Sequence, residues 1–504
     1  MGQGYGGRAT VEQGVCIPPR EEALIRARLA VYAARHGPLS RAGGDGPTLY
    51  PFFPQGGTLY RDLTTGNFVD QDPSAGVLNY LCEHYGNDGH AGCDVGGLSW
   101  EEMAIGMPIF AALDGTVVDA HDGDPDMNTS CQAGGNYVII DHGNGRVCWY
   151  FHMKRGSVAV TIGQPVVAGQ QLGLVGSSGC SFGPHLHFQS MQANAVYEPF
   201  AGACRPGPGG WVRQIDPPAA PFLRDFGVTS QDIGQAPPLP ARAPVSPQIT
   251  FADGTLYYWA QICNMPANST WTEHYIRPDG TEEYSLGPFP FNNPTTYQFS
   301  QYWFARNVGG MHSIAGTWRI RFDVNGVRLI DAPVEVVAAA TAGFNRPPLP
   351  VTAAFDPVSP AVNDVVFCRV GGPAGIRDLD WDIVRYRYVW RVNGVVVRDV
   401  VSAGMADALP RTAAAAGSVV WCTVTPNDGH VDGAPVSVAV EVGCYANCDA
   451  STTPPRLNVL DFTCFLNRFA AGEASANCDG STTPPALNVL DFTCFLNAFA
   501  AGCG

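Results

Sequence analysis

The sequence predicts a mainly β, multidomain chain: one histidine-rich antiparallel β domain, two β-sandwich domains and a small helical repeat at the C-terminus. Three observations predict it. The 504 residues exceed what one hydrophobic core organises. Charged residues make up only 15%, against 59 Gly and 41 Pro, a composition of strands and turns rather than long helices. Short β-branched runs recur at even spacing, broken by turn residues and two proline-rich stretches.

The formal net charge of −16 argues against a broad phosphate-binding surface, so no nucleic-acid partner is expected. The 16 cysteines show no CxxC metal spacing and read as disulfides of an oxidising compartment, secreted, cell-surface or periplasmic. No apolar run reaches the roughly 18 residues of a membrane span. The start, MGQGYGGRATVEQGVC, lacks an export-signal pattern, which reads as a trimmed or misassigned beginning.

Residues 1–50 hold one helix candidate, Glu21 to His36, with Ala and Leu at helical spacing. Residues 51–215 hold seven of the eleven histidines, among the runs GTVVDA, GNYVIIDHG, VCWYFHM, PVVAG, LGLVG and HLHFQ. Residues 216–247 read as a Pro-rich linker and 248–338 as a β-sandwich. A second linker, 339–350, leads to 351–443, where Cys368 and Cys422 bracket Trp390. That pattern resembles immunoglobulin-like modules, with Cys368–Cys422 expected as a bridge between sheets. Cys82–Cys93 and Cys131–Cys148 are expected from sequence proximity. In the sandwich, Tyr257, Tyr258 and Trp259 read as a buried aromatic cluster rather than a carbohydrate platform. His274, His312 and His430 are isolated.

Residues 444–504 contain a duplication with a 30-residue period, beginning at Asn447 and Asn477. It resembles a dockerin, which implies a cell-surface anchoring partner. Asn447, Asp449, Ser451, Asn458 and Asp461 sit at calcium-loop offsets, and Asn477, Asp479, Ser481, Asn488 and Asp491 repeat them. The loop is lengthened by Thr-Thr-Pro-Pro and lacks the central Gly. Two readings therefore stay open: Ca2+ loops, or a metal-free helical pair stapled by Cys448–Cys464 and Cys478–Cys494.

Chemistry concentrates in three pieces of the histidine-rich domain: His90-x-x-x-Asp94 in a Gly-rich loop, His152 at a strand end, and His185-x-His187 after a Gly-rich run. Residues i and i+2 of a strand share a face, so His185 and His187 project together. Each piece alone is weak, and a lone His on a strand is more often structural. Together, one carboxylate and two or three histidines fit a catalytic zinc site with an open position for water. His84, His121 and His142 fit no part of this set and read as loop or turn residues.

The stretches GHAGCD, GMPIFAALDGTVVDAHDG, GGNYVIIDHGNG and GQPVVAGQQLGLVGSSGCSFGPHLHFQ resemble, in order, the lysostaphin/LytM family of zinc metalloendopeptidases. The resemblance covers about 130 residues and implies the duplicated hybrid motif fold. It implies His90, Asp94 and His187 as zinc ligands, with zinc-bound water as nucleophile. It implies His152 and His185 as catalytic histidines and the peptides of bacterial peptidoglycan as substrate. His185 is placed to take the water's proton and His152 to steady the oxyanion or protonate the leaving amine, the division of labour staying open. Cys93, Met153 and Lys154 depart from the family pattern without removing a ligand. A non-catalytic peptidoglycan-binding or hydrolase-activating relative, or an anchored surface scaffold, is the alternative; intact ligand and catalytic positions favour the enzyme.

Overall fold

A seven-strand antiparallel path organises the histidine-rich region, in the order Thr64–Asn67, Cys93–Gly96, His185–Gln192, Arg146–Phe151, Tyr137–Asp141, Gly115–His121 and Pro165–Val166. The computed structural model describes residues 16–37, 39, 49–132, 134–234, 240–373, 375–449, 451, 455–473, 476–478 and 487–502. Among these the protein is mainly β, as the composition predicts.

Alternation along the strands gives this sheet two apolar faces. Cys93, Val95, Val138, Ile140, Cys148, Tyr150, Leu186 and Phe188 face the main core. Tyr137, Ile139, Val147, Trp149, Phe151 and Met191 face the other way. Helix α1, Pro19–His36, covers this second face. Pro at the first helical position, Glu21 and Glu22 in the first turn and Arg35 and His36 in the last all suit a helix of this polarity. Ile25 and Leu29, one turn apart, are its buried stripe, and Ile17 just before it joins the same cluster. Arg28 Nε donates to Asp119 Oδ2 at 2.9 Å and Arg28 also reaches the Tyr137 hydroxyl.

The second region is a three-stranded sheet (Phe222–Thr229, Leu256–Met265, Tyr297–Arg306) against a five-stranded one. The Phe222–Thr229 strand lies inside the stretch that its prolines mark as linker. The apolar run of Phe222, Phe226 and Val228 overrides them by pairing with the Leu256–Met265 strand. Tyr258 and Trp259 are buried, but on opposite faces of their strand and in separate clusters, and Tyr257 is half-buried beside Trp259, so the three do not form one cluster. The third region sets Thr352–Asp356, Val366–Gly371 and Ala406–Leu409 against a four-stranded sheet around Trp390. A buried ion cluster joins the regions: Arg224 Nη2 donates to both Glu102 oxygens at 2.9 and 2.7 Å, and Arg377 reaches the same carboxylate.

The disulfides differ from expectation. Cys368 and Cys422 lie on facing sheets in contact with each other, but both are free, fully buried thiols. Burial holds Cys422 far above the usual thiol pKa, and the pair fills the core as small apolar groups. Cys82 is bonded to Cys204 rather than to Cys93, whose side chain alternates into the core. Cys131 is bonded to Cys180, its direct neighbour in a two-stranded sheet, while Cys148 faces the core beside Tyr50.

In the tail, Cys448–Cys464 and Cys478–Cys494 are the expected staples of α2, Val459–Ala470, and α3, Val489–Ala501. The calcium reading is not supported. Asn458 and Asp461 form a capping box on α2, and Asn488 and Asp491 repeat it on α3, so these oxygens accept backbone N–H groups. The Asn447 and Asp449 side-chain oxygens accept from Ser451 N. Among the described residues no metal-binding group falls in this module, where Asn477 also lies. Asp479 and Ser481 lie outside the described residues.

Candidate metal centre

The Cys93–Gly96 and Arg146–Phe151 strands flank His185–Gln192 on either side. Cross-strand partners point to the same face. Register pairs His187 with Asp94 on one side and with Phe151 on the other, so carboxylate and imidazole emerge side by side on the face that α1 covers. His185 and Gln189 share that face by alternation. His152 follows the last residue of the Arg146–Phe151 strand and adopts φ 63°. This left-handed backbone, uncommon for a residue with a Cβ, lets it leave the strand's alternation, and its ring lies 4.5 Å from that of His185. The structure thus brings all five predicted site residues together.

Two glycines make room for them. A Cβ at Gly92 would lie 2.7 Å from His187 Cε1, and one at Gly96 would lie 2.6 Å from His185 Cβ. Neither contact is tolerable, so glycine is needed on both sides of Asp94, at Gly92 before it and at Gly96 at the end of its strand.

The hydrogen bonds fix which nitrogens face inward. His90 Nδ1 is 2.9 Å from Phe68 O, a pure acceptor, so the ring N–H points there. The Nε2 lone pair then faces Asp94 Oδ2 at 3.0 Å. His187 Nε2 is 3.3 Å from Gln189 Oε1, which leaves Nδ1 facing Asp94 Oδ1 at 2.8 Å. Asn67 Nδ2 donates to Asp94 Oδ2 at 2.8 Å. Bare nitrogens opposed to a buried carboxylate are stable only with a cation or a proton between them. Burial opposes a charged His90, yet Asp94 and then Cys16 hold its pKa well above the ordinary value. Burial likewise opposes ionised Asp94, but His90 and His185 hold it well below the usual carboxylate range. Burial lowers His187, opposed by the hydrogen bond that the Asp94 carboxylate accepts from the protonated ring. The donor set of two imidazoles and a carboxylate suits zinc, whose tetrahedral bonds of about 2.0–2.2 Å place ligand atoms roughly 3.3–3.6 Å apart. The separations of 2.8 and 3.0 Å are slightly tighter than that frame.

The second pair differs. His152 Nδ1 lies 2.7 Å from Ser178 O, and His185 Nδ1 lies 2.8 Å from Gly183 O. Both rings therefore present Nε2 inward, and neither Nε2 has a hydrogen-bond partner. Burial, then His185 and His187, push His152 well below the ordinary histidine pKa, so its lone pair stays free.

Sequence reasoning missed Cys16, whose Sγ lies 3.3 Å from His90 Nε2 and 3.2 Å from Asp94 Oδ2. Ligand atoms of Cys16, His90, Asp94 and His187 lie within 4.8 Å of one another, and those of Cys16, His152 and His185 form a second such group. Burial and then Asp94 push this thiol up to about 12. It also missed Asn67, 27 residues before Asp94 and without a motif. Gln189 was legible as the next same-face residue after His187. His84, His121 and His142 bond Val77 O, Asp124 and Asp114 O, away from the site.

Residues 89–199 match the model of Peptidase family M23, so the chain carries a domain of that family. Over 87 residues it is 39% identical to peptidoglycan DD-endopeptidase ShyA of Vibrio cholerae, 17% of this chain and 18% of that one. Over 90 residues it is 39% identical to lysostaphin of Staphylococcus simulans, 18% of this chain and 16% of that one. The chain spans between 18% and 26% of the length of the first curated relatives it matches. The solved catalytic domain of lysostaphin from Staphylococcus simulans is 28% identical, over 27% of this chain and 87% of that chain, with a TM-score of 0.19.

Proposed function

We propose that the chain is a zinc-dependent metalloendopeptidase that hydrolyses peptide bonds of peptidoglycan cross-links outside the cytoplasm. His90 Nε2, Asp94 and His187 Nδ1 hold the metal. One observation carries the reading: two tautomer-fixed, unpartnered imidazole nitrogens beside a carboxylate–imidazole trio. A structural metal site has no need of that pair. When bound, zinc polarises the scissile carbonyl and lowers the pKa of a water beside it toward neutrality.

The chain's own residues do the rest. One free Nε2, of His185 or His152, takes the proton of the attacking water. The other, once protonated, donates to the developing oxyanion or the leaving amine. Ser178 O and Gly183 O keep both rings in the tautomer this requires. The substrate class follows the peptidoglycan endopeptidases among the relatives. Four disulfides among the described residues support an oxidising compartment. Among those residues no helix is long and apolar enough to cross a membrane. The duplicated, disulfide-stapled helical pair serves as an anchor to a surface partner.

The test is metal analysis together with fragment release from isolated peptidoglycan. His185→Ala is expected to keep zinc and lose on the order of 10²–10⁴ in turnover. His187→Ala is expected to lose both. Full zinc occupancy in His187→Ala overturns the ligand assignment; unchanged turnover in His185→Ala overturns the catalytic one.

A further inference from the structure

Five side chains converge on one point, and the atom at that point belongs to the N-terminal segment. Cys16 Sγ touches two of the three proposed ligands and lies in a metal-sized group with both catalytic candidates. It occupies the space into which the unpartnered His152 and His185 Nε2 atoms point. His152 is fully buried and Cys16 is 7% exposed, so the sulfur is enclosed by the site.

The rest of the segment is built to hold it there. Ile17, Ile25 and Leu29 are buried against Trp149, Phe151 and Met191, on the sheet face that carries His185 and His187. Burial of these three apolar side chains holds the segment against the sheet. Arg28 adds its contacts to the buried Asp119 and to Tyr137. A substrate peptide must reach that same face.

Resting on the zinc reading above, we propose that the Cys16 thiolate is a fourth protein ligand to the metal, and that residues 16–36 form an autoinhibitory strap across the substrate face. Two imidazoles, one carboxylate and one thiolate complete a tetrahedral, closed set of the kind that structural zinc sites use, and leave no position for water. Ligation releases the thiol proton to solvent. Opening is the reverse exchange: the sulfur regains a proton, water takes its place, and no oxidant or reductant is involved. Displacement of the strap by a partner, or its cleavage, shifts the balance toward the open form.

Zinc K-edge X-ray absorption on the full zinc-loaded chain tests this without reference to activity. The expected shell has one sulfur at about 2.3 Å, lost in Cys16→Ala while zinc stoichiometry is kept. Peptide-resolved alkylation should find Cys16 protected in the zinc-loaded chain and more reactive in Arg28→Ala, which loosens the strap without touching the ligands. Turnover on peptidoglycan should rise on the order of tenfold or more in Cys16→Ala, as expected when a closed state holds most of the population. A sulfur-free zinc shell in the wild-type chain overturns the proposal, and so does unchanged turnover in Cys16→Ala. A chain that binds no zinc by metal analysis overturns the zinc reading beneath it, a failure distinguishable from both.

Discussion

Asp94 and Glu273 are both buried carboxylates on central strands, 4% and 0% exposed, and their surroundings differ in kind. Glu273 is closed. It accepts from Tyr258 at 2.5 Å, Tyr275 at 3.0 Å, and Arg306 Nε and Nη2 at 2.7 and 2.9 Å. Four donors and one cation satisfy two oxygens with nothing left over. Asp94 is open. Its imidazole neighbours turn lone pairs toward it, because their N–H groups are engaged by Phe68 O and Gln189. A buried polar cluster complete in itself stabilises a fold; one in which only a bridging proton, replaceable by a metal cation, reconciles imidazole lone pairs with a carboxylate marks the place where a ligand belongs.

The contrast breaks most visibly by substitution. Asp94→Asn is expected to abolish zinc retention while leaving the metal-free melting temperature nearly unchanged. Glu273→Gln is expected to leave zinc content intact and destabilise the chain by about 3–5 kcal/mol, because Arg306 is left buried and unpaired. Metal analysis and denaturant unfolding on both variants check this. Equal effects on both quantities would erase the distinction.

A smaller effect sharpens it. Asn67→Ala and Gln189→Ala remove only the partners that orient Asp94 and His187. Each should weaken zinc binding about 10–100-fold in competition with a chelator. Affinities equal to wild type would mean the strands alone orient the ligands.

The smallest effect concerns a histidine outside the site. Burial lowers His142 from 6.5 to about 4, opposed by its hydrogen bond to Asp114 O. Below about 6.5 the unfolded chain gains a proton that the folded chain refuses. His142 therefore makes stability fall as pH drops from about 6.5 toward 4, by at most roughly 3 kcal/mol. Urea unfolding across that range should show a shallower loss in His142→Gln; parallel curves would contradict it.

Much of the site was legible because its signals are local. The i, i+2 spacing of His185 and His187 fixes a shared face whatever the sheet around it, the Gly-rich loop locates His90 and Asp94, and the end of the apolar run VCWYF locates His152. The duplicated tail gave its own disulfides, since Cys448 and Cys464 are 16 residues apart in a repeated unit. The same locality misled elsewhere. Asn458 and Asp461 have the spacing of loop ligands, which is also that of a capping box, and only backbone geometry separates the two. Cys82 took a partner 122 residues away, a pairing that no spacing encodes.

The sequence by itself determined the β architecture, the histidine and carboxylate inventory, and the face on which His185 and His187 stand, because strand alternation and turn chemistry act over a few residues. Only the tertiary structure decided that Cys16 meets His90 and Asp94 across 74 and 78 residues. It alone decided that Cys368 and Cys422 stay thiols and that Asn67 orients the carboxylate. Those contacts are set by how the helix docks and how the sheets pack, and that depends on the whole buried surface rather than on any short stretch of chain.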